Sequence, residues 1–147
     1  MESDPPSAVR LVRELSAPVD RVWRAWTAPD WVRRWFGSDP RGTVRSARLD
    51  VRPGGTFQVA FVDGDGLEHA CRGTYLAVEP MRRLVFTWTW QSEPGVETQV
   101  TVELQPSGSG TRLALEHAKL SPSSAHDYQA GWGRTLDKLQ RALGPDR

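Results

Sequence analysis

The sequence predicts an α+β fold: a seven-stranded antiparallel sheet carrying a long C-terminal helix, with two short helices between the first and second strands. Three observations predict it. From Thr43 to His117 apolar and polar side chains alternate with a period of two, broken only by short turns rich in Gly, Pro and Asp. Ahead of that stretch one further alternating segment is followed by two aromatic clusters at helical spacing. Behind it, Tyr128, Trp132, Leu136, Leu139 and Leu143 recur at intervals of 4, 4, 3 and 4, one continuous helical stripe.

Residues 1–8 are polar and Pro-rich, and are expected to form a flexible N-terminal segment before a single domain over 9–144. Val9, Leu11, Arg13 and Leu15 then share one face of the first strand. Ser16-Ala17-Pro18 reads as a helix start with Ser16 as its cap. Val19 with Trp23, and Val22 with Trp26, are i, i+4 pairs that make one face of this helix apolar. Thr27-Ala28-Pro29-Asp30 repeats the start signal, Trp31, Val32, Trp35 and Phe36 follow at helical spacing, and Gly37 suits a C-terminal cap.

The six remaining strands follow one another through short turns, the pattern of an antiparallel meander. Ala47, Leu49 and Val51 share a face before the Pro53-Gly54-Gly55 turn. Phe57, Val59 and Phe61 form the next face, closed by the hairpin signal Asp63-Gly64-Asp65-Gly66. Over Leu67–Val78 the inward phase stays open: His69, Cys71 and Tyr75 compete with Ala70, Leu76 and Val78. Leu84, Phe86, Trp88 and Trp90 mark the clearest strand, and Val96–Leu104 alternates throughout. After Ser107-Gly108-Ser109-Gly110, Leu113, Leu115 and His117 share the last strand's inner face. Ser121 and Pro122 open the final helix. Gly131 and Gly133 inside it weaken it by about 1 kcal/mol each relative to Ala, so it is expected to rest on the sheet. They also suggest a close backbone approach, or space left for something else.

Composition narrows the function. The chain has 147 residues, 19 Lys+Arg against 18 Asp+Glu, and a formal net charge of +1. A non-specific nucleic-acid binder needs a large cationic excess to displace counterions, so no nucleic-acid partner is expected. No run approaches the roughly 18 apolar residues of a membrane span, and Met1–Leu15 lacks the apolar core of a signal peptide. The one cysteine, Cys71, excludes an intrachain disulfide and makes the cytoplasm the expected compartment.

Five local words occur in a telling order: Ala17-Pro18-Val19-Asp20-Arg21-Val22-Trp23 running into Trp35-Phe36-Gly37; Asp50-Val51-Arg52-Pro53-Gly54-Gly55-Thr56-Phe57; Gly73-Thr74-Tyr75 with Val78-Glu79-Pro80; Arg83-Leu84-Val85-Phe86-Thr87-Trp88; and Gly131-Trp132 before Leu136-Asp137-Lys138-Leu139. With the order of elements, they resemble the helix-grip fold of the START/Bet v 1-like (SRPBCC) superfamily. Within it the chain is similar to the branch named for the activator of heat-shock-protein-90 ATPase. The resemblance implies a curved sheet gripping the last helix, a mostly apolar cavity between them, and two short helices closing one end. The superfamily spans lipid carriers, polyketide cyclases, hydrolases and co-chaperones, so the fold alone does not choose among these.

The chemistry-bearing residues are few. His117 is in phase with Leu113 and Leu115 and should point inward, as an acid–base group, a polar anchor for a ligand, or a hydrogen-bonded histidine without chemistry. His69 and Cys71 could offer two metal ligands, but zinc needs three or four and none accompany them at ligand spacing, so no metal and no cofactor are expected. Asp63-Gly64-Asp65-Gly66 lacks the other liganding positions of a calcium loop and reads as a turn. No nucleophile motif occurs, no catalytic residue is assigned, and Cys71 reads as a small buried hydrophobe. Trp35 and Phe36 are candidates for a cavity mouth. Phe57, Val59, Phe61, Phe86, Trp88, Trp90, Val100, Val102, Leu115, His117, Tyr128, Trp132 and Leu136 are the candidate cavity wall. The leading expectation is a small cytoplasmic protein binding an apolar or aromatic molecule, lipid-like or polyketide-like. The alternatives are a co-chaperone-like interaction module with a chaperone or regulator as partner, and a cyclase- or hydrolase-type enzyme using His117 and Tyr128.

Overall fold

In the computed structural model, which describes residues 7–144, the elements run β1 (Ser7–Leu15), α1 (Val19–Thr27), α2 (Pro29–Val32), β2 (Thr43–Leu49), β3 (Thr56–Val62), β4 (Glu68–Glu79), β5 (Arg83–Trp90), β6 (Thr98–Ser107), β7 (Gly110–Leu120) and α3 (Pro122–Leu143). The strands form one sheet in the order β1-β7-β6-β5-β4-β3-β2, every neighbouring pair antiparallel. β1 begins at Ser7, and residues 1–6 of the expected flexible segment lie outside the described residues. The sheet is curved, and α3 lies along it against β1 and β7, with α1 packed at its side. No helix among the described residues is long and apolar enough to cross a membrane.

Period-two patterning gives each strand a buried row. Leu11 and Leu15 of β1, Phe57 and Val59 of β3, Val100 and Val102 of β6, and Leu113 and Leu115 of β7 all face α3 and the short helices. From α3, Trp132, Leu136, Leu139 and Leu143 complete the core, as their spacing requires. At roughly 1.5–3 kcal/mol per fully buried large side chain, this face, rather than helix propensity, holds α3 in place.

Four local expectations change. The α1 cap is Pro18, not Ser16: its extended backbone lets its carbonyl accept from the N–H groups of Arg21 and Val22 at 3.0 and 3.1 Å. α2 ends at Val32, and a tighter turn follows in which the Trp35 and Phe36 N–H groups reach the Val32 carbonyl. Gly37 then reverses the chain at φ +99°, where a Cβ would stand 3.1 Å from the Phe61 ring. β6 starts at Thr98, leaving Val96 exposed.

The open phase of β4 resolves through a bulge. His69, Cys71 and Tyr75 point inward, but Tyr75 pairs Phe86 while Ala77 pairs Val85, so two residues of β4 oppose one of β5. The extra residue switches faces, which exposes Leu76 and brings Val78 against the core. β7 carries a similar irregularity: Val9 pairs His117 and Ser7 pairs Leu120, and Lys119 sits at φ 66°.

Candidate functional site

Between α3 and strands β3–β5 lies an open cleft of about 390 Å³. Its aromatic wall is Phe36, Phe61, Trp88, Trp90, Tyr128 and Trp132. Ser124, Tyr128, Gly131 and Thr135, spaced by 4, 3 and 4, form the α3 side, and Gly37 and Ser38 close one edge. Gly131 leaves room there: a Cβ built on it would meet nothing nearer than the Ser38 Cβ at 4.0 Å. Gly133 faces the other way, toward Leu11 and Arg13 of β1, so of the two glycines it is the one at the helix–sheet contact.

The rings of the wall support one another. Phe36 stacks on Trp88 with centroids 5.7 Å apart, and Trp88 meets Trp90 edge-on at 5.2 Å. The Trp90 indole N–H donates to the Tyr128 hydroxyl at 2.8 Å, joining sheet to helix across the cleft. Burial raises the Tyr128 pKa, so the phenol stays protonated.

His117 lies beneath this wall, fully buried. The Trp132 indole N–H donates to its Nδ1 at 2.9 Å, and its Nε2 is 2.7 Å from the Thr98 hydroxyl oxygen. An indole N–H can only donate, so Nδ1 is unprotonated and the neutral ring carries its proton on Nε2. That proton goes to Thr98, whose own hydroxyl donates to the Trp88 carbonyl at 3.2 Å. Burial pushes the imidazole pKa down to about 3. Both nitrogens are committed to these partners in this arrangement.

The candidate wall residues therefore separate into groups. Phe36, Phe61, Trp88, Trp90, Tyr128 and Trp132 line the cleft. Trp35, expected at a mouth, is instead 1% exposed and donates its indole N–H to the Ala25 carbonyl at 2.9 Å. Trp35, Phe57, Val59 and Phe86 surround a void of only about 20 Å³. Val100, Val102, Leu115, Leu136 and His117 are packed core that does not border the cleft. The expectation of an apolar hollow running along the helix is corrected accordingly: Trp26, Trp35, Trp88 and Trp132 fill the middle with mutually packed rings.

Polar residues that apolar patterning could not flag complete the rim: His69, Glu93, Asp127 and Arg134. His69 donates from Nε2 to Asp63 Oδ2 at 3.0 Å, while Asp63 Oδ1 accepts the N–H groups of Asp65 and Leu67 within the hairpin turn. The His69 bond, with these N–H groups, lowers the Asp63 pKa. Asp39 ties the edge loop down, accepting from the Gly64 and Arg41 N–H groups, while its carbonyl accepts from Lys138 of α3 at 3.0 Å. Cys71 is buried under the rim, and desolvation pushes its thiol pKa up. Among the described residues no three His, Cys, Asp or Glu side chains gather as metal ligands would.

A larger hollow, about 620 Å³, lies on the sheet's outer face between Arg48, Gln58, Arg72, Thr87, Thr89 and Glu97. It forms where Gly73 lets β4 and β5 approach closely; a Cβ there would collide with the Thr87 carbonyl. Its walls are polar, as befits a solvated strand face.

Comparison with known proteins agrees with this fold. A family model described as Activator of Hsp90 ATPase homolog 1-like protein matches residues 16–144. No curated protein matches the sequence. Among solved structures, a protein of Nitrosomonas europaea is 32% identical, with a TM-score of 0.80 over 92% of this chain and 93% of that one. A protein of Chromobacterium violaceum is 27% identical, with a TM-score of 0.85 over 96% of this chain and all of the other. DynU16, from the dynemicin biosynthetic locus, is 30% identical with a TM-score of 0.77, the match covering 95% of this chain and 48% of DynU16.

Proposed function

Because this chain belongs to the Activator of Hsp90 ATPase homolog 1-like family of START/Bet v 1-like folds, we propose that it binds a small apolar or aromatic molecule in the cleft between β3–β5 and α3. One observation carries the reading: six aromatic side chains converge on a space that Gly131 leaves open. Its 390 Å³ falls within the range of about 300–1,000 Å³ typical of small-molecule sites. In such sites buried apolar area supplies affinity and a few polar groups supply orientation. A relative from a biosynthetic locus favours a small organic occupant.

The test is a titration with a panel of fatty acids and polycyclic aromatics, read by tryptophan fluorescence and repeated on Gly131→Leu. The variant places a side chain in the cleft at a helical position where a Cβ meets no clash. Saturable binding that weakens at least tenfold in Gly131→Leu, with an unchanged or raised Tm, is expected. No saturable binding to any member, or equal binding by both proteins, overturns the reading.

A further inference from the structure

Three indole N–H groups belong to the cleft wall, and they differ in one respect. Trp90 donates to the Tyr128 hydroxyl and Trp132 donates to His117. Trp88, 4% exposed and bordering the same cleft, keeps its Nε1–H buried with no hydrogen-bond partner. Leaving such a donor unsatisfied costs on the order of 1–3 kcal/mol, and native proteins rarely retain one without a use. Trp26 has a second orphan N–H, but it borders the 20 Å³ void among apolar side chains, where no ligand fits.

None of the acceptors around Trp88 meets its N–H in hydrogen-bonding geometry. Both His117 nitrogens are engaged. The Tyr128 hydroxyl lies beside the Trp88 indole, which together with Trp90 opposes the upward push of burial on its pKa, but it accepts a well-aligned bond only from Trp90. The aromatic wall therefore holds two uncommitted donors, the Trp88 N–H and the Tyr128 O–H. Phe36 and Trp88, stacked with 20° between their planes, provide flat faces next to it.

Resting on the binding function proposed above, we infer that the cleft selects flat aromatic molecules bearing a hydrogen-bond acceptor, such as a ring carbonyl, and that the Trp88 N–H is the group that reads it. Because Nε1 is covered in the free protein, with the Tyr128 hydroxyl beside it, the acceptor reaches it by displacing that hydroxyl. The bound molecule supplies what the free protein lacks, so selectivity arises from satisfying a donor already desolvated in the fold.

Fluorene and 9-fluorenone test this, being nearly identical in shape and differing by one carbonyl. Fluorene is the more apolar, so burial alone favours it. The expected result is that 9-fluorenone binds at least tenfold tighter. Among the indole N–H signals of the seven tryptophans in a ¹⁵N–¹H spectrum, that of Trp88, assigned by its loss in Trp88→Phe, should move downfield with 9-fluorenone and not with fluorene. In Trp88→Phe the two affinities should converge to within twofold. If that variant folds poorly, the Trp88 signal is assigned through its through-space contacts to Phe36, on which it stacks, and the wild-type spectrum decides the matter. Equal affinities, or a stationary Trp88 signal with 9-fluorenone bound, overturn the acceptor inference and leave the binding function standing; failure of both molecules to bind overturns this inference and counts against the parent reading.

Discussion

The Trp132 indole N–H and His117 Nδ1, 2.9 Å apart, determine the protonation state of a fully buried imidazole. From that bond follows a one-way relay, Trp132 to His117 to Thr98 to the Trp88 carbonyl, joining α3 to β7, β6 and β5. The relay satisfies buried donors in order and stiffens the layer beneath the cleft.

Replacing His117 by Ala removes the acceptor for Trp132 and empties buried volume. An unsatisfied N–H costs about 1–3 kcal/mol, and large-to-small core changes commonly cost about 2–5 kcal/mol. His117→Ala is expected to lose at least about 3 kcal/mol in urea denaturation. A loss below 1 kcal/mol would show that the relay is not structural.

The same residue sets an acid limit. Its folded pKa is lowered to about 3, against about 6.5 in an unfolded chain. Between those values the unfolded state binds a proton that the folded state refuses, so stability falls as pH drops through 6.5 toward 3. The groups packed on the ring, Thr98, Trp132, Tyr128 and Trp88, are uncharged in this range. From pH 7.5 to pH 5 the loss through His117 alone is about 2 kcal/mol. Denaturation of wild type and His117→Phe at both pH values should show this part of the pH dependence missing from the variant.

Gly133→Ala should stabilise the protein. A Cβ there meets the Arg13 guanidinium at 3.8 Å and Leu11 at 4.0 Å, ordinary contact distances. The gain expected for Gly→Ala inside a helix is about 0.5–1 kcal/mol. Thermal melting should show a higher midpoint, with binding unaffected because Gly133 does not border the cleft.

Gly37→Ala should do the opposite. At φ +99° an L side chain is strained, and the Phe61 ring 3.1 Å away must shift. A loss above about 1 kcal/mol is expected, together with weaker ligand binding, since Phe61 belongs to the wall. Denaturation and the titration described above check both.

Cys71 should resist modification. It is 1% exposed and burial disfavours its thiolate, the reactive form. Under native conditions a disulfide thiol reagent should label it orders of magnitude more slowly than in denaturant; fast native labelling would contradict the packing of β4 against β3.

Much of this architecture is legible in the chain itself. Alternation identified the inner rows of β3, β5 and β7, including the inward turn of His117, because a strand's period of two leaves little choice of face once one side is apolar. The 4, 4, 3, 4 stripe placed Trp132, Leu136 and Leu139 against the sheet for the corresponding helical reason. Alternation failed on β4, where a bulge opposite Phe86 moves the apolar row from one face to the other. No local pattern reports such a pairing shift. Helical spacing fell short on Trp35, because periodicity says that a ring is buried but not what it is buried against. The partners of His117 lie 19 residues away on β6 and 15 away on α3, and the cleft's rim draws on His69 of β4, Glu93 of the β5–β6 turn, and Asp127 and Arg134 of α3. Which face goes inward is a local property of backbone geometry, and the sequence determined it. How much space those faces leave between them depends on rings from distant segments meeting in three dimensions, and only the tertiary structure decided that.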